Sequence, residues 1–384
     1  MDRILTTHAG SLPRPAELSQ LLARRFAGEA VDETELNDRA RHATTEVVAR
    51  QHALGLDVIN NGEVGRESFF TYVQHRMTGF SGQSNRPPMR DLVKYEHFLG
   101  YLQRTAFSSE SVSLGIPPAA TGAVTYRDQT AVHDECQQLG QALTAVGHRS
   151  DAAFVTAPSP GIIAAAMENR HYPNLEAYLD ALAEALTVEY RAIIEHGFTL
   201  QIDAPDLAME RHTYFADRPL AEFITFIEQV GDRINRALTD VPKDRVRLHV
   251  CWGNYEGPHD EDVPLEAIWP ALQTINVGAV LLSMANPRHS HEYRVLAKAP
   301  WPDNLTLVAG VIDTTTNYIE HPDAIADRLV LAAEAIGAPE RLMAGTDCGF
   351  ETSAGFSSVV DEIAWQKLGA LVEGADRASR MLFG

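Results

Sequence analysis

The chain has 384 residues and carries 52 Asp and Glu against 32 Lys and Arg, a formal charge of −20; that balance repels phosphate backbones and anionic lipid, so nucleic acid is not an expected partner. Apolar residues make up 45% of it, yet no run approaches the roughly 20 residues that cross a bilayer, so no membrane span is expected. The first residues lack the basic and apolar stretches of an export signal, which predicts a cytoplasmic location in which Cys136, Cys251 and Cys348 are reduced and free for packing, metal or nucleophile roles.

Taken in chain order, short β-branched apolar runs that close on polar or glycine residues fall at 4–7, 57–61, 153–157, 199–203, 246–251, 279–283, 306–311 and 341–346. Helical patterns separate most of them. Asn174 caps a helix with Leu175, Leu179, Leu182, Leu186, Tyr190 and Ile193 on one face, ending at Gly197. Pro322 opens another that turns Ile325, Leu329 and Ile336 inward and stops at Gly337. Eight βα units predict an α/β fold, a (β/α)8 TIM barrel, as a single domain over 1–384. The stretch 67–150 is too long for one crossover and reads as an insertion between strands two and three, with helical and hairpin pieces of its own. No repeat, low-complexity tract or linker divides the chain.

The chemistry-bearing residues gather at strand ends, where barrel enzymes work. His249 and Cys251 stand two apart on a strand and face one way. Alone, that pair reads more readily as a small core cysteine beside a core histidine. Cys348, at the end of the eighth strand, brings a third soft donor to the same mouth, and one histidine with two cysteines suits zinc with a position left open for substrate. Asp203 and Glu63 are the candidate catalytic and substrate-binding carboxylates, joined by Ser11 and His8; each carboxylate could instead cap a helix or pair with a cation. Arg288 could grip a substrate carboxylate or sulfonate, or pair with a loop carboxylate. His259, His289 and His291 read as solvated loop residues. Cys136 has no partner at ligand spacing and reads as a free thiol, packed or exposed.

As a set, the stretches 7–14, 62–72, 201–205, 249–259, 286–292 and 345–350 resemble the catalytic barrel of the cobalamin-independent methionine synthase family, and most nearly its single-barrel branch, which includes epoxyalkane:coenzyme M transferases. The resemblance implies a zinc-dependent alkyl or methyl transferase with zinc on His249, Cys251 and Cys348, a small thiol activated as a metal-bound thiolate, and an alkyl donor as second substrate. It also implies that the positions of Ser11, Glu63 and Asp203 hold the amino acid portion of the thiol. Barrels of this kind often pair through helices, which suggests a homodimer. Two departures stand out. Residues 281–286 contain no counterpart of the family's zinc-ligating glutamate, and Asp313-Thr314-Thr315 stands where the synthases carry a histidine that assists methyl transfer. A vacant ligand position favours an activated electrophile over methyltetrahydrofolate. The competing expectations are a lyase or hydrolase using the same metal on a carbonyl or water, and a metal-free binding protein.

Overall fold

The computed structural model describes residues 2–105, 111–112 and 114–384. Seven strands form one parallel sheet: Leu5–Thr6 (β1), Phe154–Pro158 (β2), Thr199–Asp203 (β3), Val246–Val250 (β4), Ala279–Ser283 (β5), Thr306–Ile312 (β6) and Leu342–Thr346 (β7). They run side by side in the order β1-β7-β6-β5-β4-β3-β2. Their side chains are almost wholly buried, as expected for parallel strands covered by helices. The register sets Asp203 directly beside His249, so one layer of the barrel receives both.

The stretch 57–61, expected as the second strand, is not a ladder strand. It fills the remaining place in the ring through single bonds: Val58 N donates to Thr6 O at 2.9 Å, Ile59 N to Ala152 O at 3.2 Å, and Phe154 N to Ile59 O at 3.0 Å. Its polar side chains take over the remaining bonding. Asp57 accepts from Thr6 N and Oγ1 at 2.9 and 3.0 Å, and Asn60 reaches Gly10 O at 3.1 Å and accepts from Gly62 N at 2.7 Å. The barrel closes here on side chains, which a search for β-branched runs cannot distinguish from a strand.

The helices follow their sequence signals. Asn174 accepts from Ala177 N at 2.9 Å to start Leu175–Glu195, and Gly197, at φ +87°, turns the chain out of it. Leu179, Leu182, Leu186, Tyr190 and Ile193 are buried against the sheet, each worth on the order of 2 kcal/mol in area removed from water. Pro322–Ile336 likewise begins with proline in its first turn and ends at Gly337, φ +62°.

Within 67–150 lie the short helices Val73–Arg76 and Arg90–Val93, the helix Glu96–Thr105, and an antiparallel pair of Phe80–Ser81 with Ala119–Ala120. The long helix Thr130–Val146 that follows packs on Glu33–Leu54 and Leu175–Glu195, in the outer ring of the barrel. Buried ion pairs fasten this segment down. Arg66 and Arg76 reach Glu135 at 2.9 and 2.5 Å, Arg76 reaches Glu189 at 2.8 Å, and both guanidiniums stack on Tyr72. Removing one partner of such a knot strands a buried charge, at about 3–5 kcal/mol. Cys136 is fully buried beside it, its thiol pushed up to about 12 by burial and by the charge of Glu135; it is a packed, unreactive thiol. Among the described residues, no helix is long and apolar enough to cross a membrane.

Candidate metal centre and its pocket

At the C-terminal end of the barrel, β4 and the residues after β7 bring His249, Cys251 and Cys348 together, their donor atoms all within 4.8 Å of one another. The two sulfurs stand 3.5 Å apart. That is far too long for a disulfide, and near the roughly 3.8 Å between two sulfurs sharing one tetrahedral zinc. All three side chains are buried. The Cys348 thiol donates to the Cys251 sulfur; this bond, helped by His249, lowers the Cys251 thiol and raises that of Cys348. Burial opposes a charge on His249, but Cys251 and Asp203 prevail and push it up to about 10. Two cysteine sulfurs and a histidine ring converging in a buried pocket are a donor set of the kind that suits zinc.

Behind these residues the barrel interior is polar and fully connected. His249 Nδ1 donates to Asp203 Oδ1 at 3.0 Å, which also accepts from Gln201 Nε2 at 2.7 Å. Gln201 Oε1 in turn accepts from Arg247 Nε at 2.7 Å, and Arg247 lies 3.5 Å over the ring of Phe154 and donates to Thr7 Oγ1 and His8 O. Burial lowers the Arg247 guanidinium to about 9. The chain of bonds fixes the histidine ring by its Nδ1–H, while Nε2 lies 3.3 Å from Asp347 O, next to Cys348.

Glu63 occupies the left-handed region at φ +56°, a conformation that few non-glycine residues adopt. Gly10, at φ +141°, makes room for it: a Cβ there would overlap the Glu63 carboxylate. Burial and the neighbouring charge of Asp203 raise Glu63 to about 7, and its Oε2 has no hydrogen-bond partner. Ser11 is buried with its Oγ against Gly349, next to Cys348. Thus Ser11, Glu63 and Asp203 come to the neighbourhood of the cluster. His8 and Arg288 sit differently. Both nitrogens of His8 are engaged inside the protein, with Gln51 Oε1 at 2.8 Å and Gly10 N at 3.2 Å, and burial lowers it to about 3, so it is neutral. Arg288 is exposed and its Nε donates to His259 O at 3.0 Å.

A small cleft opens on Cys348, Ser283, Asp347, Asp313, Trp252 and His259, among others. Asp347, not singled out from sequence, organises its wall. Its carboxylate accepts from the backbone N–H groups of Met284, Ala285 and Asn286 at 2.8, 2.9 and 2.7 Å, clamping the stretch where no glutamate ligand stands. Its place beside Cys348 was the available signal. His259 and His289 correct the reading as solvated residues: both are buried, His259 stacked on Tyr255 and His289 on Trp252, with Asp262 between them. His291 is exposed.

The catalytic domain of the cobalamin-independent synthase family matches this chain over residues 4–87. The methionine synthase of Saccharolobus solfataricus is 25% identical over 372 residues, 96% of this chain and 93% of the relative, and that of Thermococcus kodakarensis is 26% identical over 379 residues, 98% and 94%. The chain is similar to methionine synthases along nearly its whole length, and to the cobalamin-independent catalytic domain over its first quarter. The resemblance read from its strand-end motifs is thereby borne out along nearly the whole chain. The fold is shared with solved structures: a B12-independent methionine synthase from Shewanella sp., solved with selenomethionine, superposes with a TM-score of 0.73 at 20% identity over 99% of both chains. The putative vitamin-B12 independent methionine synthase of Listeria monocytogenes gives 0.64 at 21% identity over 98% of both.

Proposed function

We propose that this protein is a methionine synthase-like methyltransferase that holds zinc on His249, Cys251 and Cys348 and transfers a methyl or alkyl group to a small amino thiol of the homocysteine class. The observation that carries the reading is the convergence of three buried soft donors at the mouth of the barrel, backed by the Asp203 bond to the imidazole. When bound, zinc lowers the pKa of a thiol that coordinates it and supplies the sulfur in nucleophilic form. Cys251 and Cys348 offset the charge of the ion, and Asp203, Gln201 and Arg247 hold the imidazole in place.

In the transfer, the thiol S–H proton leaves, the sulfur lone pair forms the S–C bond, and the bond from carbon to the donor breaks with its electron pair on the departing group. Glu63, raised to about 7 and with one unpartnered oxygen, would take that proton or grip a substrate ammonium. Ser11 and Asp203 supply further polar contacts to the amino acid portion. His8, its ring fully engaged, supports the turn that admits Glu63, and Arg288 is left to meet an anionic group at the rim.

Metal analysis paired with thiol-dependent turnover tests this. Zinc should be present and product should form only when an amino thiol is supplied with an activated alkyl donor. Turnover that needs no thiol would replace the reading with lyase or hydrolase chemistry.

A further inference from the structure

Around Asp262 the chain builds a second cluster. His259 Nδ1 and His289 Nε2 approach the same oxygen, Asp262 Oδ2, at 2.9 and 2.8 Å. His212 Nδ1 lies 3.2 Å from the other oxygen, Asp262 Oδ1. The three side chains drawn from His259, Asp262 and His289 keep their donor atoms within 4.8 Å of one another, and all four side chains are at most 4% exposed. They come from the ends of three neighbouring strands: His212 after β3, His259 and Asp262 after β4, and His289 after β5.

Hydrogen bonds alone leave this cluster unsatisfied. Both ring nitrogens of His212, Asp262 Oδ1 and His289 Nδ1 are buried without an aligned partner. Whichever tautomer His212 adopts, one lone pair is orphaned, and each buried unsatisfied group costs about 1–3 kcal/mol. Asp262 faces all three imidazoles, and two further carboxylates, Glu292 at 3.8 Å from His289 Nδ1 and Asp91 on the backbone N of His259, add negative charge that would offset a bound dication. The surroundings already have the form that supports a ligand: His259 Nε2 donates to Tyr255 O at 3.1 Å, fixing Nδ1 toward the centre, and Asp91 accepts from Tyr255 OH and from His259 N at 2.5 and 3.0 Å. Stacking on Trp252 holds His289 in register.

We propose that His212, His259, Asp262 and His289 form a second metal site, for a transition-metal dication of the zinc class, separate from the strand-end cluster and opening on the same cleft. Three imidazoles and a carboxylate are the donor set that such ions take, and an ion there converts the orphaned nitrogen and oxygen lone pairs into ligands. His259, His289 and Cys348 all line one cleft, so the ion would pin part of the wall of the pocket that the reacting sulfur shares.

Stoichiometric binding of Zn2+ and Co2+ to metal-stripped, full-length protein tests this, with the thermal transition as the control for folding. The wild type should bind two equivalents, the Cys251→Ser/Cys348→Ser double variant one, and His289→Gln or Asp262→Asn one. The Co2+ complex of the double cysteine variant should show d–d bands without sulfur-to-cobalt charge transfer. Joining the two sets of substitutions should abolish binding. A folded double cysteine variant that binds no ion, or one whose bound ion survives both His289→Gln and Asp262→Asn, would overturn the proposal. If the wild type binds one equivalent that is lost in His289→Gln but kept in the cysteine variant, the second site stands and the strand-end assignment falls.

Discussion

His249 and Cys251 belong to one buried cluster, His259 and Asp262 to another, and the two differ in what holds them. The first stands on strands, where the period of two and the register fix side-chain direction before any packing is known; Asp203 pairs with His249 because their backbones are partners in the sheet. The second is carried by loops, and its donors meet only because Tyr255, Trp252 and the Asp91 carboxylate from the insertion press them together. Strand-borne sites should therefore survive loss of a ligand with the frame intact. The loop-borne site should depend on its neighbours.

The largest effect is expected at the strand ends. Cys251→Ser or Cys348→Ser should remove the sulfur-ligated zinc and lower turnover by at least about 100-fold while the cooperative unfolding transition remains, because a hydroxyl is not deprotonated where a thiol is. Loss of that transition would show the metal to be structural. Next, Asp203→Asn should weaken zinc retention against a chelator by about 10–100-fold, the range for a residue that orients a ligand; unchanged retention would confine Asp203 to the substrate.

Glu63→Gln tests the buried carboxylate whose charge is coupled to that of Asp203. Its carboxyl, raised to about 7 by burial and by Asp203, must ionise to act as a base, so kcat/KM in the wild type should rise with pH through that region. The Gln variant should lose this limb with zinc still bound. A limb preserved in the variant would assign it to another group.

A smaller effect, on stability, comes from Asp206, which lies on the turn after β3 and is bonded to Ser159 Oγ at 2.5 Å. Burial raises its carboxyl to about 8, with Glu210 adding to the effect. A folded-state pKa above the unfolded one means stability that is complete below pH 4 and lost as pH climbs through about 8. Asp206→Asn should therefore raise Tm by a few degrees at pH 9 and by about half as much at pH 6, where the unfolded chain already ionises this carboxyl and the folded one does not. A larger gain at pH 6 than at pH 9 would reverse the assigned direction.

Much of this contrast could be read from the sequence, and the part that could not has a physical cause. Periodicity locates the helix Leu175–Glu195 and seven of eight strand positions, because burial on one face leaves a spaced apolar pattern. It mistakes 57–61 for a ladder strand because Asp57 and Asn60 bond through side chains whose targets are 50 or so residues away. His249, Cys251 and Cys348 were legible as strand-end donors. His259 and His289 were not, since a loop histidine shows no period, and only the fold supplies the aromatic rings and carboxylate that bury it.

The measurement that bears most directly on the account is the zinc K-edge fine structure of the His289→Gln variant, in which only the strand-end cluster should be loaded. Two sulfur scatterers, from Cys251 and Cys348, should be seen without substrate, and a third should appear when homocysteine is added. A zinc shell without sulfur, or one that the thiol leaves unchanged, would contradict the central claim that this cluster presents a thiol for alkylation.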